Sequence, residues 1–215
     1  MSSALFVVAI DGPAGAGKST VGRALARRLG LEYLDTGAMY RAVTAAAMAE
    51  GVPTDSADVA DLARRVRLEV GDGGVFVDGR DVTSEIRSAE VTRHVSAVAA
   101  NPGVRAEMVD RQRAWARERG GGVLEGRDIG SVVFPEAALK VYLTASPRVR
   151  AERRQHESGG DVDEIEASIE RRDRLDRERN DGPLTEASGA VVVDTTGKSI
   201  DEVLAELESL LEVHR

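Results

Sequence analysis

The chain contains no cysteine, which excludes disulfides, thiolate catalysis and any cysteine-ligated metal. Histidine is nearly as scarce. His94, His156 and His214 stand far apart, without metal-ligand spacing, and each reads as an ordinary surface or packing residue. Long apolar runs are missing too. The N-terminal run Leu5-Phe6-Val7-Val8-Ala9-Ile10 stops at Asp11, too short for a signal peptide or a membrane span, so a soluble protein of the cytoplasm is expected. A net charge of −8 withholds the broad positive field of a nucleic-acid-binding protein. Lysine is rare: of 29 basic residues only Lys18, Lys140 and Lys198 are lysine. No internal repeat or low-complexity tract occurs.

What remains is an ordinary globular composition. With 215 residues and 42% hydrophobic content, the chain can bury one substantial core, in one domain with room for appended lobes. Arginines crowd 105–119 and 148–179. Such runs usually form a solvated face, and genomic base composition could produce them. Arginine also suits bidentate capture of phosphate.

Residues 11–20 read Asp-Gly-Pro-Ala-Gly-Ala-Gly-Lys-Ser-Thr. Gly12, Gly17, Lys18 and Ser19 fit G-x-x-x-x-G-K-(S or T), the phosphate-binding loop. The apolar run before it suits a buried parallel strand. After it, Val21, Ala24, Leu25 and Leu29 recur at helical spacing until Gly30, a left-handed cap. Strand, loop and helix in this order let loop amides and a helix N-terminus converge on a polyphosphate. Lys18 would reach the β- and γ-phosphates, and Ser19 would ligate Mg²⁺.

Further along, residues 32–35 predict a second strand, 38–50 a helix closed by Gly51, and 57–66 a short helix. Residues 67–70 and 75–78 predict a β-hairpin across Gly71-Asp72-Gly73-Gly74, with Gly79-Arg80-Asp81 as another turn. The hairpin reads as an insertion, or else as an extra edge of the main sheet. Helices follow over 88–100 and, restarted by Asn101-Pro102, up to Gly120-Gly121-Gly122. Strands are expected at 123–125, 139–144 and 191–193. Ser146-Pro147 opens a helix that Gly159-Gly160 interrupts. Asp161 with Glu164 caps the next, which runs to about Asn180, and Ser199 with Glu202 caps the last. Gly197-Lys198-Ser199 imitates the loop motif, but Val192 stands where a glycine is needed, so it reads as structural. Five strands alternating with helices predict an α/β fold with a doubly wound, mostly parallel sheet. Ligands would gather at its carboxyl edge, near Asp11, Asp35-Thr36 and Arg127-Asp128.

Phosphoryl transfer needs positioning and charge neutralisation more than covalent chemistry. Arg172, Asp176 and Arg179 fall on one face of a predicted helix. They read either as a surface ion-pair ladder or, with Arg153 and Arg154 beyond the glycine break, as part of a mobile flap that brings cations over the transferring phosphoryl group.

Motifs spread along nearly the whole chain resemble those of bacterial cytidylate kinases, a branch of the nucleoside monophosphate kinases. They are Ile10-Asp11-Gly12-Pro13, Leu34-Asp35-Thr36-Gly37-Ala38-Met39-Tyr40-Arg41, Asp81-Val82-Thr83-Ser84-Glu85-Ile86-Arg87, Val98-Ala99-Ala100 with Pro102 and Val104-Arg105, Gly126-Arg127-Asp128-Ile129-Gly130 with Val133-Phe134-Pro135, and the arginine-aspartate helix before Pro183-Leu184. The resemblance implies a P-loop kinase fold: a five-stranded parallel sheet flanked by helices in a CORE of 1–35, 84–149 and 173–215. A nucleoside-monophosphate lobe at 36–83 would carry the hairpin, and 150–172 would form a short LID. It implies transfer of the γ-phosphoryl of ATP to CMP or dCMP with Mg²⁺.

Carried over by position, Gly12, Pro13, Ala14, Gly15, Ala16, Gly17, Lys18, Ser19 and Thr20 would hold ATP. Thr36, Arg41 and Arg127 would clamp the acceptor phosphate. Ser96, Arg105 and Asp128 would read cytosine, whose amine donor and ring acceptors suit a carboxylate and a guanidinium. Arg172 and Asp176 would contact the pentose. Arg153, Arg154 and Arg179, with Lys18, would supply catalytic cations, and Asp35 would orient Mg²⁺ or its waters from the second sphere. The acidic LID stretch 155–169 matches no motif. Adenylate and uridylate kinases remain alternatives, as does a silent nucleotide-binding module. A GTP switch is disfavoured by the lack of an N-K-x-D motif. Nothing in the sequence demands more than a monomer.

Overall fold

Strand β1 (Phe6–Asp11) is buried from Val7 to Asp11, because neighbouring strands and helices cover both of its faces. The structure, a computed structural model, describes residues 5–213; His214 lies outside them. The chain divides into two units, Met1–Tyr33 with Ala116–Arg215, and Leu34–Trp115.

In the first unit β1 lies at the centre of a five-stranded parallel sheet of order β2-β6-β1-β7-β8. The partners are β2 (Tyr33–Asp35), β6 (Gly121–Gly126), β7 (Leu139–Thr144) and β8 (Val191–Asp194). The register sets Asp11 beside Gly126 on one side and Tyr142 on the other, so β1 and β6 finish together while β7 runs on to Thr144. Helix α1 (Lys18–Leu29) packs with α8 (Ile200–Val213). Its Val21 and Leu25 join Ile10, Val141, Leu143, Val193, Leu204 and Leu207 in one buried core, each such side chain contributing ~1.5–3 kcal/mol. Helices α6 (Pro147–Ser158) and α7 (Val162–Arg177) pack on each other. Ser146 and Asp161 cap them, as the sequence predicts.

In the second unit α2 (Thr36–Ala49) packs with α3 (Asp58–Arg65) and α4 (Ala89–Ala100), and α5 (Pro102–Arg119) begins at the expected Asn101 cap. Strands β3 (Leu68–Gly71), β4 (Gly74–Val77) and β5 (Arg80–Asp81) form a separate antiparallel sheet. The insertion is thus independent of the main sheet, but the expected hairpin has a third strand. Asp78 turns with φ +50°, and Arg80-Asp81 pairs back onto Val77-Phe76 where a further turn was predicted.

Three other boundaries differ from expectation. Strand β6 starts at Gly121 because the ladder to Phe6 recruits backbone, not side chains. Residues 129–133 form a π-helical turn and 85–87 a 3₁₀ turn, neither legible in a periodicity. Helix α7 ends at Arg177, short of Asn180, as the chain turns back so that the Leu184 N–H donates to the Asp176 carbonyl at 2.8 Å. No helix among the described residues is long and apolar enough to cross a membrane.

Candidate active site

The loop between β1 and α1 closes against β7. A Cβ at Gly12 would lie 2.0 Å from the Leu143 carbonyl oxygen at φ +145°, so glycine is required there. Lys18 is buried and donates to the Pro13 carbonyl at 2.9 Å, curling over the loop whose amides a polyphosphate would meet. Ser19 donates its hydroxyl to Glu125 Oε1 at 2.6 Å, and Tyr33 donates to the same oxygen. Glu125 is only 3% exposed. Among the described residues no group of three or more His, Cys, Asp or Glu could hold a metal. A hydroxyl beside one buried carboxylate nevertheless suits Mg²⁺, which takes one or two protein oxygens and completes its shell with water and substrate phosphates.

Asp11 closes β1 by accepting from the Ile129 and Gly130 amides at 2.8 and 2.7 Å. It thereby ties the loop's root to the segment that carries Arg127 and Asp128. Burial pushes its carboxyl up to about 6 from 3.8; the Gly130 and Ile129 amides pull the other way, Asp128 adds to the rise, and Lys18 opposes it.

A second cluster forms around Asp176, which is 3% exposed. Arg127 Nε meets Asp176 Oδ2 at 2.9 Å, and Arg179 Nη2 meets Oδ1 at 2.9 Å. Burial would raise the Asp176 carboxyl, but Arg127, Arg179 and Arg172 together hold it below the usual range. Arg172 is only half-buried as a residue, yet its Nε is enclosed without a hydrogen-bond partner. Burial, then the charge on Arg127, lowers its guanidinium to about 10 against the pull of Asp176. This is a cation-rich site with unspent donor capacity, which an anion would stabilise. The surface-ladder reading is therefore excluded. Arg179 lies beyond the end of α7, not on its face, and folds back, its Nε donating to the Asp176 carbonyl at 3.4 Å.

The remaining predicted cations make their bonds away from Asp176, although the charge on Arg154 is felt at Arg172 and Arg153 Nη1 lies 3.7 Å from where a Cβ at Gly17 would sit. Arg153 donates to Thr195 Oγ1 at 2.9 Å and to the Thr195 carbonyl at 2.8 Å. Arg154 pairs with Glu157 at 3.5 Å. Asp128 is buried, and its carbonyl accepts the amides of Val132 and Val133 in the π-turn.

Within the second unit, Thr36 opens α2 and is buried, and Asp35 Oδ1 caps that helix by accepting the Ala38 amide at 2.9 Å. Arg41 Nη1 donates to the Ile86 carbonyl at 3.0 Å and to Thr92 Oγ1 at 2.9 Å. Ser96 is half-buried on α4, and Arg105 is buried near the start of α5.

Four residues escaped the sequence reading. Glu125 did leave a signal, a lone charge in the apolar strand Val123-Leu124-Glu125. Tyr33 left none, because its role is to hold Glu125. Arg150 and Asp173, a buried ion pair at 2.6 Å, were hidden among many similar arginines and acids.

A model of the cytidylate kinase family matches residues 8–213. The chain is 49% identical over 213 residues to a cytidylate kinase of Mycobacterium leprae (strain Br4923), with 96% of each chain covered. It is 52% identical over 210 residues to a bifunctional pantoate ligase/cytidylate kinase of Synechococcus sp. (strain JA-2-3B'a(2-13)), covering 92% of this chain and 39% of that longer one. Among solved structures, a gluconokinase from Sinorhizobium meliloti 1021 is 16% identical with a TM-score of 0.50, covering 97% of this chain and 93% of that one. At such identity the likeness bears on the fold alone.

Proposed function

Because the chain belongs to the cytidylate kinase family, we propose that its phosphate-binding loop receives ATP and that the arginines around Asp176 receive the nucleotide to be phosphorylated. The enzyme is an ATP-dependent phosphotransferase that moves the γ-phosphoryl of ATP to CMP or dCMP, releasing ADP and CDP or dCDP. The observation that carries the site assignment is the half-buried group Arg127, Arg172 and Arg179 around one buried carboxylate, with Arg172 Nε enclosed and left unbonded.

Lys18, already buried over the loop, would neutralise the β- and γ-phosphates in the low-dielectric interior, where a charge counts for most. Mg²⁺, when bound, would supply positive charge that offsets the charge developing on the phosphates. Ser19, held by Glu125 and Tyr33, would hold the ion, and Asp35 is kept as an outer contact. Arg127 would exchange part of its bond to Asp176 for the acceptor α-phosphate, joined by Thr36 and Arg41. Ser96, Arg105 and Asp128 would read the base, and Arg172 and Asp176 the pentose. Arg179, Arg153 and Arg154 would complete the cation set. For Arg153 this means leaving Thr195, which fits a LID at 150–172 that rearranges when nucleotide binds. The proposed working unit is a single chain in the cytoplasm.

The test couples ADP formation to a panel of CMP, dCMP, UMP, AMP, dTMP and GMP, for the parent and Asp128→Ala. CMP and dCMP should lead for the parent. The variant should lose at least about tenfold in CMP affinity, as expected when a base-reading hydrogen bond goes, while the KM for ATP stays within about twofold. Equal loss for both nucleotides would remove Asp128 from the base site.

A further inference from the structure

Arg150 and Asp173 form an ion pair shielded from water, their side chains 5% and 2% exposed. It joins α6 to α7, and it does not end there. Arg150 Nη1, which meets Asp173 Oδ2 at 2.6 Å, also donates to the Ala14 carbonyl at 3.0 Å, and Arg150 Nε donates to the Ala145 carbonyl at 3.1 Å. Asp173 Oδ1 accepts the Ala14 amide at 3.4 Å. Both backbone groups of Ala14, at the crest of the phosphate-binding loop, are thus held by one charged pair.

A separate observation points the same way. At Gly15 a Cβ would lie 2.9 Å from Arg150 Cβ and 3.1 Å from its carbonyl oxygen, with φ +79°. The loop motif does not ask for glycine at this position; the close seating of α6 does. In a planar trans peptide the C=O and the following N–H point opposite ways. Lys18 holds the Pro13 carbonyl, and Asp173 holds the Ala14 amide of that same peptide. Arg150 holds the Ala14 carbonyl, so the Gly15 amide is turned away from Arg150. Three charged side chains orient two consecutive peptide planes.

We propose that Arg150 and Asp173 are positioning residues of the donor site, tying the crest of the phosphate-binding loop to the α6–α7 pair so that the loop's shape follows the seating of those helices. The proposal rests on reading that loop as the ATP site. Loop amides serve a polyphosphate only while they are pre-aimed, and a small misplacement there costs binding. Removing either partner frees the crest without breaking a hydrogen bond to any group assigned to the acceptor; the Asp173 charge is also felt at Arg127 and Arg172, so Arg150→Lys is the cleaner variant.

Asp173→Asn and Arg150→Lys test it. Asparagine keeps the shape and one acceptor but loses the charge that holds Arg150. Lysine keeps the charge but cannot reach Ala14, Ala145 and Asp173 together. Calorimetric titration with ATP, without acceptor, should show affinity weakened about tenfold or more in each variant. The KM for CMP at saturating ATP should stay within about twofold, and amide exchange at Ala14 and Gly15 should quicken. Thermal melts report whether each variant folds, and if Asp173→Asn does not, Arg150→Lys decides. A folded variant that binds ATP within about twofold of the parent overturns the proposal, as does equal weakening of ATP and CMP. If the parent itself fails to bind ATP, the reading of the loop falls first and this proposal with it.

Discussion

The tripeptide Gly-Lys-Ser occurs twice, at 17–19 and 197–199, each time after a parallel strand that ends in aspartate and at the mouth of a helix. Both glycines have positive φ, +89° and +71°. The outcomes are opposite. Lys18 is buried and turned back onto the Pro13 carbonyl, whereas Lys198 is exposed and paired with Glu206 at 2.7 Å. Ser19 spends its hydroxyl on the buried Glu125, whereas Ser199 and Glu202 cap α8 reciprocally. Asp11 is buried against two amides, whereas Asp194 is exposed and accepts the Thr196 amide at 2.8 Å. The difference is three residues of loop. Six positions separate Asp11 from Gly17 but three separate Asp194 from Gly197, and only in the longer span does the lysine bury itself against a carbonyl of its own loop.

Lysine gives the widest separation. Lys18→Ala should lower kcat/KM by about 10²–10³-fold, as when a charge-stabilising donor is removed. Lys198→Ala should stay within about twofold in the same coupled assay. Similar losses in both would erase the distinction.

Aspartate is next, read as stability against pH. Folded Asp11 keeps its proton up to about pH 6, while the unfolded chain releases it near 3.8. Between those values the folded state binds more protons. The Asp11 contribution is therefore full below about pH 4 and falls by up to ~3 kcal/mol as pH rises to about 6. Denaturant unfolding of the parent minus Asp11→Asn should trace that decline. Asp194 should show the reverse sign. Its hydrogen bonds to the Thr196 hydroxyl and amide lower its pKa, so its small contribution exists above the unfolded value and is lost as pH falls.

Serine gives the smallest effect. Ser199→Ala removes a helix cap and should cost ~1 kcal/mol of stability, visible as a lower Tm with kcat unchanged. A change in kcat there would mean that the second copy takes part in the reaction.

The fold was legible largely because its signals are local. The apolar run before Asp11, the caps at Asn101, Ser146 and Asp161, and the capping box of Ser199 with Glu202 each place an element within a residue or so of where it lies. The errors fell where long-range contacts decide. Strand β5 exists because Arg80-Asp81 finds β4, β6 recruits glycines to pair with β1, and α7 stops early as the chain folds back onto Asp176. The site divides in the same way. Lys18 and Ser19 were readable because loop and helix are contiguous. Glu125 is 106 positions from Ser19 and Asp173 is 159 from Ala14, and no periodicity links such pairs.

By itself, then, the sequence determined the phosphate-binding loop, the alternation of strands and helices, and the family, because each depends on residues near one another in the chain or on motifs in order. Only the tertiary structure decided which Gly-Lys-Ser is buried, which arginines gather on Asp176, and that Arg150 and Asp173 hold the loop's crest. Those outcomes turn on burial. A charge taken from water must find its partner wherever the fold brings one, and that partner is set by packing rather than by spacing.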